Sequence, residues 1–237
     1  MADAIVVLNA GSSSLKFSVF LCRGPELEPW IRGQIEGLNT APVFTAKDVE
    51  GRVLAQRRWE NGQSIGHEEG IAELVDFLRR SIGPHRLIGV GHRVVHGGVQ
   101  YFEPVRVTRD VVRILEQLVP LAPLHQPHNL APIRHALEEM PDLPQVACFD
   151  TAFHRSQPEL AQAYALPEQI TSRGVRRYGF HGLSYEYVAG ALQAIDPAAA
   201  AGRVVVAHLG NGASMCALRA GRSVASTMGF SAVDGLA

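Results

Sequence analysis

The stretch "IVVLNAGSSSLKFSVF" (residues 5–20) aligns without gaps on "VVVAHLGNGASMCALR" (204–219). Each copy reads as an apolar, β-branched strand, a glycine-containing turn and a second strand. A hairpin recurring so far along one chain is most simply explained by duplication of a folding unit. The first unit then runs from about residue 5 to about residue 150, whereas the second copy opens near 203 with only the 35 residues to Ala237 in which to develop. The expectation is an α/β chain with a first domain over 1–150 and the start of a second, incomplete domain over 151–237.

Around the first hairpin, residues 4–9, 15–22, 31–36, 42–47 and 53–58 carry strand patterns, which predicts a β-meander. "HEEGIAELVDFLRRSI" (67–82) then places Ile71, Leu74, Val75, Leu78 and Ile82 at helical spacing, with acids early and arginines late as the helix dipole favours. "RLIGVGHRVV" (86–95) reads as a buried strand, 108–118 as a helix capped by Thr108, 128–139 as a helix, 144–150 as a strand and 183–195 as a helix ended by "DPAAAAG".

Composition narrows the function classes. The chain of 237 residues is 46% hydrophobic and 19% charged with a net charge of −1, which suits a globular protein and gives nucleic acid or an anionic membrane no basic stripe to bind. Cys22, Cys148 and Cys216 lie far apart in apolar runs and read as buried thiols in a reducing compartment. The N-terminus lacks a basic signal region and no run approaches a bilayer-spanning length, so the cytoplasm is the expected location.

Several stretches carry chemistry. Backbone N–H groups and the hydroxyls of Ser12, Ser13 and Ser14 can cradle an anion, with Lys16 adding a point charge, although an ordinary hairpin turn has the same composition. The second turn, "HLGNGAS" (208–214), offers a matching cradle, and two such hairpins could hold the phosphates of a nucleotide. In "GHRVVHGG" (91–98) strand alternation puts His92, Val94 and His96 on one side and Arg93 and Val95 on the other. A metal at His92 and His96 is rejected, because the i, i+4 spacing converges on a helix and this segment reads as a strand. Arg93 can fork onto a carboxylate while Val95 touches a short alkyl group, or Arg93 can pair with a structural acid. "PLAPLHQPHN" (120–129) is expected to be held extended by its prolines, presenting Leu124 and His125. Asp150 closes an apolar strand, either as a functional acid or as a cap, and "RRYGFHG" (176–182) sets Phe180 and His181 between glycines in a basic, flexible loop.

Together "VLNAGSSSLKFSVF", "GHRVVHGG", "PLAPLHQPHN", "FDTAFH", "RRYGFHG", "VVVAHLGNGAS" and "STMGFSAVDGL" resemble, in order and spacing, the acetate kinase family of the superfamily that includes sugar kinases, heat-shock protein 70 and actin. The resemblance implies a duplicated ribonuclease H-like (actin-like ATPase) fold and reversible, ATP-dependent phosphorylation of acetate to acetyl phosphate, or of propionate or butyrate. It also implies Mg²⁺ or Mn²⁺ as cofactor and a homodimer exchanging ATP and ADP. By the same resemblance Asn9 falls on the magnesium site, Lys16 on the ATP site and Arg93 on the substrate carboxylate. Asp150 and His181 fall on the catalytic aspartate and the transition-state histidine, and His125 and Phe180 on further active-site positions. His208, Leu209, Gly210, Asn211 and Gly212 match the phosphate loop, and Val95 and Leu124 the acyl-methyl pocket. Family members are longer, so a second active-site arginine, the adenosine loops and a magnesium-site glutamate are expected to be missing from this chain. Ala232 stands where the family usually has proline, which loosens the expected preference for acetate.

Overall fold

The computed structural model describes residues 1–59 and 63–236. They divide into two compact units, one of Met1–Val94, Val105–Glu116 and Leu124–Ala147, the other of Val95–Pro104, Gln117–Pro123 and Cys148–Ala237.

The first unit is built on an eight-stranded sheet of order β5-β4-β3-β2-β1-β6-β8-β7. Strands β1 (Asp3–Ala10), β2 (Ser14–Arg23), β3 (Glu26–Glu36), β4 (Val43–Asp48) and β5 (Val53–Arg58) form the expected antiparallel meander, β3 starting five residues before its predicted stretch. Strand β6 (Arg86–Val94) returns parallel to β1, and β7 (Val105–Arg106) pairs antiparallel with β8 (Gln145–Phe149). Alternation along β1 and β2 buries Ala4, Val6, Leu8, Leu15, Phe17 and Val19 against helix α1 (His67–Ser81). Gly33 of β3 lies flat under Phe17, where an added Cβ would stand 2.5 Å from the ring. That close approach lets Phe17, Phe44 and Phe77 cluster with centroids 5.2–6.3 Å apart. The Glu69 carboxylate accepts the Gly66 N–H at 2.9 Å and so closes the α1 N-terminus.

Helix α2 (Arg109–Glu116) begins as expected, the Thr108 hydroxyl accepting the Val111 N–H at 3.2 Å. The extended reading of 120–129 is corrected: Val119–Leu121 is a 3₁₀ turn and α3 (Gln126–Glu139) starts two residues before the predicted 128. Pro127 occupies the first turn of α3, where a missing N–H costs no helical bond. Asn129 then ties α3 to the end of β1 by donating to the Ala10 carbonyl.

In the second unit, the short α4 (Glu159–Gln162) and α5 (Glu168–Thr171) precede α6 (Gly182–Ile195) and α7 (Pro197–Ala201). A separate antiparallel sheet follows, of order β11-β10-β9, from β9 (Arg203–Leu209), β10 (Ala213–Arg219) and β11 (Arg222–Ser226). Its buried side packs Tyr185 and Ala189 of α6 on Cys216 and Leu218. The second hairpin is not a gapless copy of the first. Ala10 pairs with Leu15 across four turn residues, but Leu209 pairs with Ala213 across three. One residue fewer inverts the faces of the strand before the turn. Val204, Val206 and His208 therefore turn inward, and Val205 and Leu209, aligned with buried Val6 and Ala10, are exposed.

Candidate active site

In the first unit the predicted residues assemble by strand register. Asn9 of β1 lies opposite Lys16 of β2, and the Arg93 guanidinium of β6 donates from Nη1 to Asn9 Oδ1 at 3.0 Å. Lys16, Asn9 and Arg93 thus form a transverse row on the face of β2-β1-β6 away from the apolar core. Beside it, the 11–14 turn is closed by the Gly11 N–H donating to the Ser14 carbonyl at 2.8 Å. His67 of α1 donates from Nε2 to the Gly11 carbonyl at 2.7 Å and stacks on His128 of α3, centroids 4.1 Å apart. Ser12 and Ser13 are exposed, Ser14 partly so. None of 11–14 or 210–212 has positive φ, so both cradles are simple turns without the left-handed residue of an αR–αL nest. His125 occupies the position before α3, and Leu124 is 64% exposed.

His92 occupies the core face of β6 and donates from Nε2 to Gln145 Oε1 at 2.8 Å. Burial pushes its pKa down to about 4. The predicted alternation stops there, because β6 ends at Val94. Val95 and His96 are consecutive buried residues of the second unit, so neither the His92/His96 face nor the Arg93/Val95 face exists as a strand face. His96 Nδ1 instead accepts the Gly98 N–H at 2.9 Å, and burial sets its pKa near 4 as well. Among the described residues no group of three or more His, Cys, Asp or Glu side chains could hold a metal ion, and no helix is long and apolar enough to cross a membrane.

In the second unit Asp150 is 2% exposed at the end of β8. Its carbonyl accepts the Gly182 N–H at 2.9 Å, and a Cβ on Gly182 would stand 2.1 Å from that oxygen, so only glycine fits. The contact draws α6 onto the Asp150 backbone. His181, the residue before α6, is held at φ 58°, a left-handed conformation costing a non-glycine residue about 1–2 kcal/mol. The ring of His181 stacks on that of His208 with centroids 4.0 Å apart. Gly212 approaches its edge: an added Cβ would be 3.3 Å from Nε2. Leu209, Gly210, Asn211 and Gly212 are exposed around this point.

Phe180 is a core residue, 1% exposed, in a cluster with Val95, Ala122, Tyr178 and Met228 against which Leu121, Phe230 and Ala232 pack. The cause is His154, which donates from Nε2 to the Phe180 carbonyl at 2.8 Å and shares Nδ1 with Ser223 at 3.0 Å. Burial lowers the His154 pKa, opposed by that carbonyl and by the charge of Asp150. His67, Thr151, His154, Gly182, Tyr185 and Ser214 were not singled out in the sequence. Each acts through a partner distant in sequence, as when Thr151 Oγ1 accepts the Gly97 N–H at 3.1 Å, so local pattern carries no sign of it.

The Acetokinase family model matches residues 4–237. Acetate kinase of Nitrobacter hamburgensis is 54% identical over 239 residues, covering 99% of this chain and 58% of that protein. Acetate kinase of Rhizobium meliloti is 52% identical over 226 residues, covering 95% and 57%. Among solved structures, Porphyromonas gingivalis acetate kinase superposes with TM-score 0.82 at 32% identity, and a propionate kinase from Francisella tularensis with 0.85 at 33%, each match covering 99% of this chain and 59% of that one. The chain therefore spans a little under three fifths of the relatives it matches. These neighbours carry the α/β actin-like ATPase fold that the family resemblance implies, and from Ala4 onward the chain belongs to the acetokinase family.

Proposed function

We propose that the protein phosphorylates acetate with ATP, reversibly, giving acetyl phosphate and ADP. The observation that carries the reading is the row of Lys16, Asn9 and Arg93, which sets a carboxylate-binding fork beside a hydroxyl-rich turn in a chain of this family. Transfer of a γ-phosphoryl group asks a protein mainly for alignment and charge neutralisation. Arg93, steadied by Asn9, orients the acetate oxygen. Lys16, Ser12, Ser13 and Ser14 contact ATP phosphate, as do His208, Leu209, Gly210, Asn211 and Gly212. His181 offers an N–H to the transferring group, and His125 supports the same step. Acetate is already ionised at neutral pH, so Asp150 has no proton to remove.

Asn9 and Asp150 are hard oxygen donors of the kind Mg²⁺ or Mn²⁺ takes alongside water and phosphate. The Asn9 amide oxygen accepts one bond from Arg93 and keeps a second lone pair, so Asn9 fits a ligand to a divalent ion. When bound, that ion neutralises charge on the phosphates. The acyl methyl is assigned to Val95, Phe180 and Ala232, and the family resemblance adds Leu124. We also infer two domains over 1–150 and 151–237, a homodimer and a cytoplasmic location.

Propionate is the second substrate. Ala232, smaller than the family's usual proline, packs against the Val95–Phe180 cluster, and the smaller side chain favours an acid longer by one methylene. Hydroxamate capture of acyl phosphate, with acetate, propionate and butyrate, tests the reading on the 237-residue polypeptide and on the product of its full reading frame. Acyl phosphate formed from neither with any acid would overturn it.

A further inference from the structure

Ser214 is fully buried in β10, and its hydroxyl meets two groups at once. Oγ lies 2.8 Å from His181 Nδ1 and is in a short contact with the phenol of Tyr185, itself fully buried on α6. Three polar groups from two elements and the αL residue between them thus form one line ending on the imidazole. If both neighbours donated to Ser214, its own buried O–H would have no acceptor, which leaves two directions for the line.

In one direction the Tyr185 O–H donates to Ser214 Oγ and the Ser214 O–H donates to His181 Nδ1. In the other, His181 Nδ1–H donates to Ser214, Ser214 donates to the phenolic oxygen, and the Tyr185 proton is left over. Tyr185 has no hydrogen-bond partner but Ser214 among the described residues, so the second direction strands a buried O–H without an acceptor. A buried donor is costly to leave unmade. We infer that Ser214, which accepts from Tyr185, is a positioning residue that keeps Nδ1 of His181 unprotonated and its proton on Nε2, the edge beside Gly212. A neutral imidazole so held presents an N–H donor to an anionic oxygen at the 210–212 turn without having to ionise. Stacking on His208, whose Nδ1 lies 3.0 Å from Ser184 Oγ, keeps the ring plane from turning away.

This inference rests on the reading of His181 as the group that meets the transferring phosphoryl, and the two can fail separately. Long-range ¹H–¹⁵N spectra of the ¹⁵N-histidine-labelled 237-residue chain report which nitrogen of His181 is protonated. The expected result is Nε2–H in the wild type and also in Tyr185→Phe, where the buried Ser214 O–H keeps Nδ1 as its acceptor. Ser214→Ala, which removes the donor outright, should move the population towards Nδ1–H. Nδ1–H in the wild type or in Tyr185→Phe overturns the inference, and so does an unchanged tautomer in folded Ser214→Ala. Titration with inorganic phosphate separates the functional reading. The wild-type Nε2–H resonance should move on binding, with affinity about tenfold weaker in Ser214→Ala. A wild-type resonance that phosphate leaves unmoved, with the tautomer as expected, overturns the functional reading of His181 and leaves the relay standing.

Discussion

Two residues show what single positions contribute. Gly182 is required by space: a methyl group there would overlap the Asp150 carbonyl, which already accepts the Gly182 N–H. Gly182→Ala should therefore lower stability by about 1–3 kcal/mol, the usual cost of overpacking, read as a lower urea midpoint at unchanged m. A variant as stable as the wild type would contradict the close approach. On the proposed function, Arg93 matters by its charge. With the guanidinium removed, a charge-assisted contact worth about 1.5–3 kcal/mol is lost, so Arg93→Ala should lower kcat/KM for acetate by roughly ten- to hundredfold. Steady-state kinetics should show the acid KM rising while ATP binding holds. Arg93 was legible as a candidate, since a guanidinium beside an apolar residue suits either a small carboxylic acid or a structural ion pair. Gly182 was not, because nothing local says that helix α6 must touch a backbone thirty-two residues earlier.

At the scale of elements, the meander, α1 and the Thr108 cap followed their patterns closely, since alternation and 3.6-residue spacing are set by neighbours within a turn or two. Register did not follow. The two hairpins look superposable as text, yet a turn shorter by one residue brings His208 to the inner face opposite Ser214. Prolines in 120–129 misled in a related way, because proline suits both an extended segment and the first turn of a helix. The loop at 229–232 carries its own prediction. Ala232 packs against the Val95–Phe180 cluster, and each extra methylene buried there is worth about 0.8 kcal/mol, close to fourfold in kcat/KM. Ala232→Pro should move selectivity towards acetate over propionate by about that factor. Equal selectivity in both versions, measured by acyl hydroxamate formation, would assign the pocket's size to another residue.

For the whole molecule, two buried histidines should govern acid stability. His92 and His96 both have folded pKa values near 4, lowered by burial from an ordinary 6.5. The unfolded chain takes up these protons first as pH falls, so the stabilisation is present above about 6.5 and is lost progressively towards 4, by roughly 3 kcal/mol for each group. Urea midpoints at pH 7, 5.5 and 4.5 should fall steeply, and His92→Gln should flatten the decline. A profile that is level across this window would mean that the two rings are solvated when folded. The amino-acid sequence by itself determined the repeated hairpin and the helix faces, which rest on short periods, and through its resemblance to a family it marked Asn9, Lys16, Arg93, Asp150 and His181 as candidates. Tertiary structure alone decided the Lys16–Asn9–Arg93 row, the αL setting of His181 and its link through Ser214 to Tyr185. Asn9 and Arg93 are eighty-four residues apart, and what joins them is a parallel pairing of strands whose register is chosen by the burial of a whole face, a quantity no short window of sequence contains.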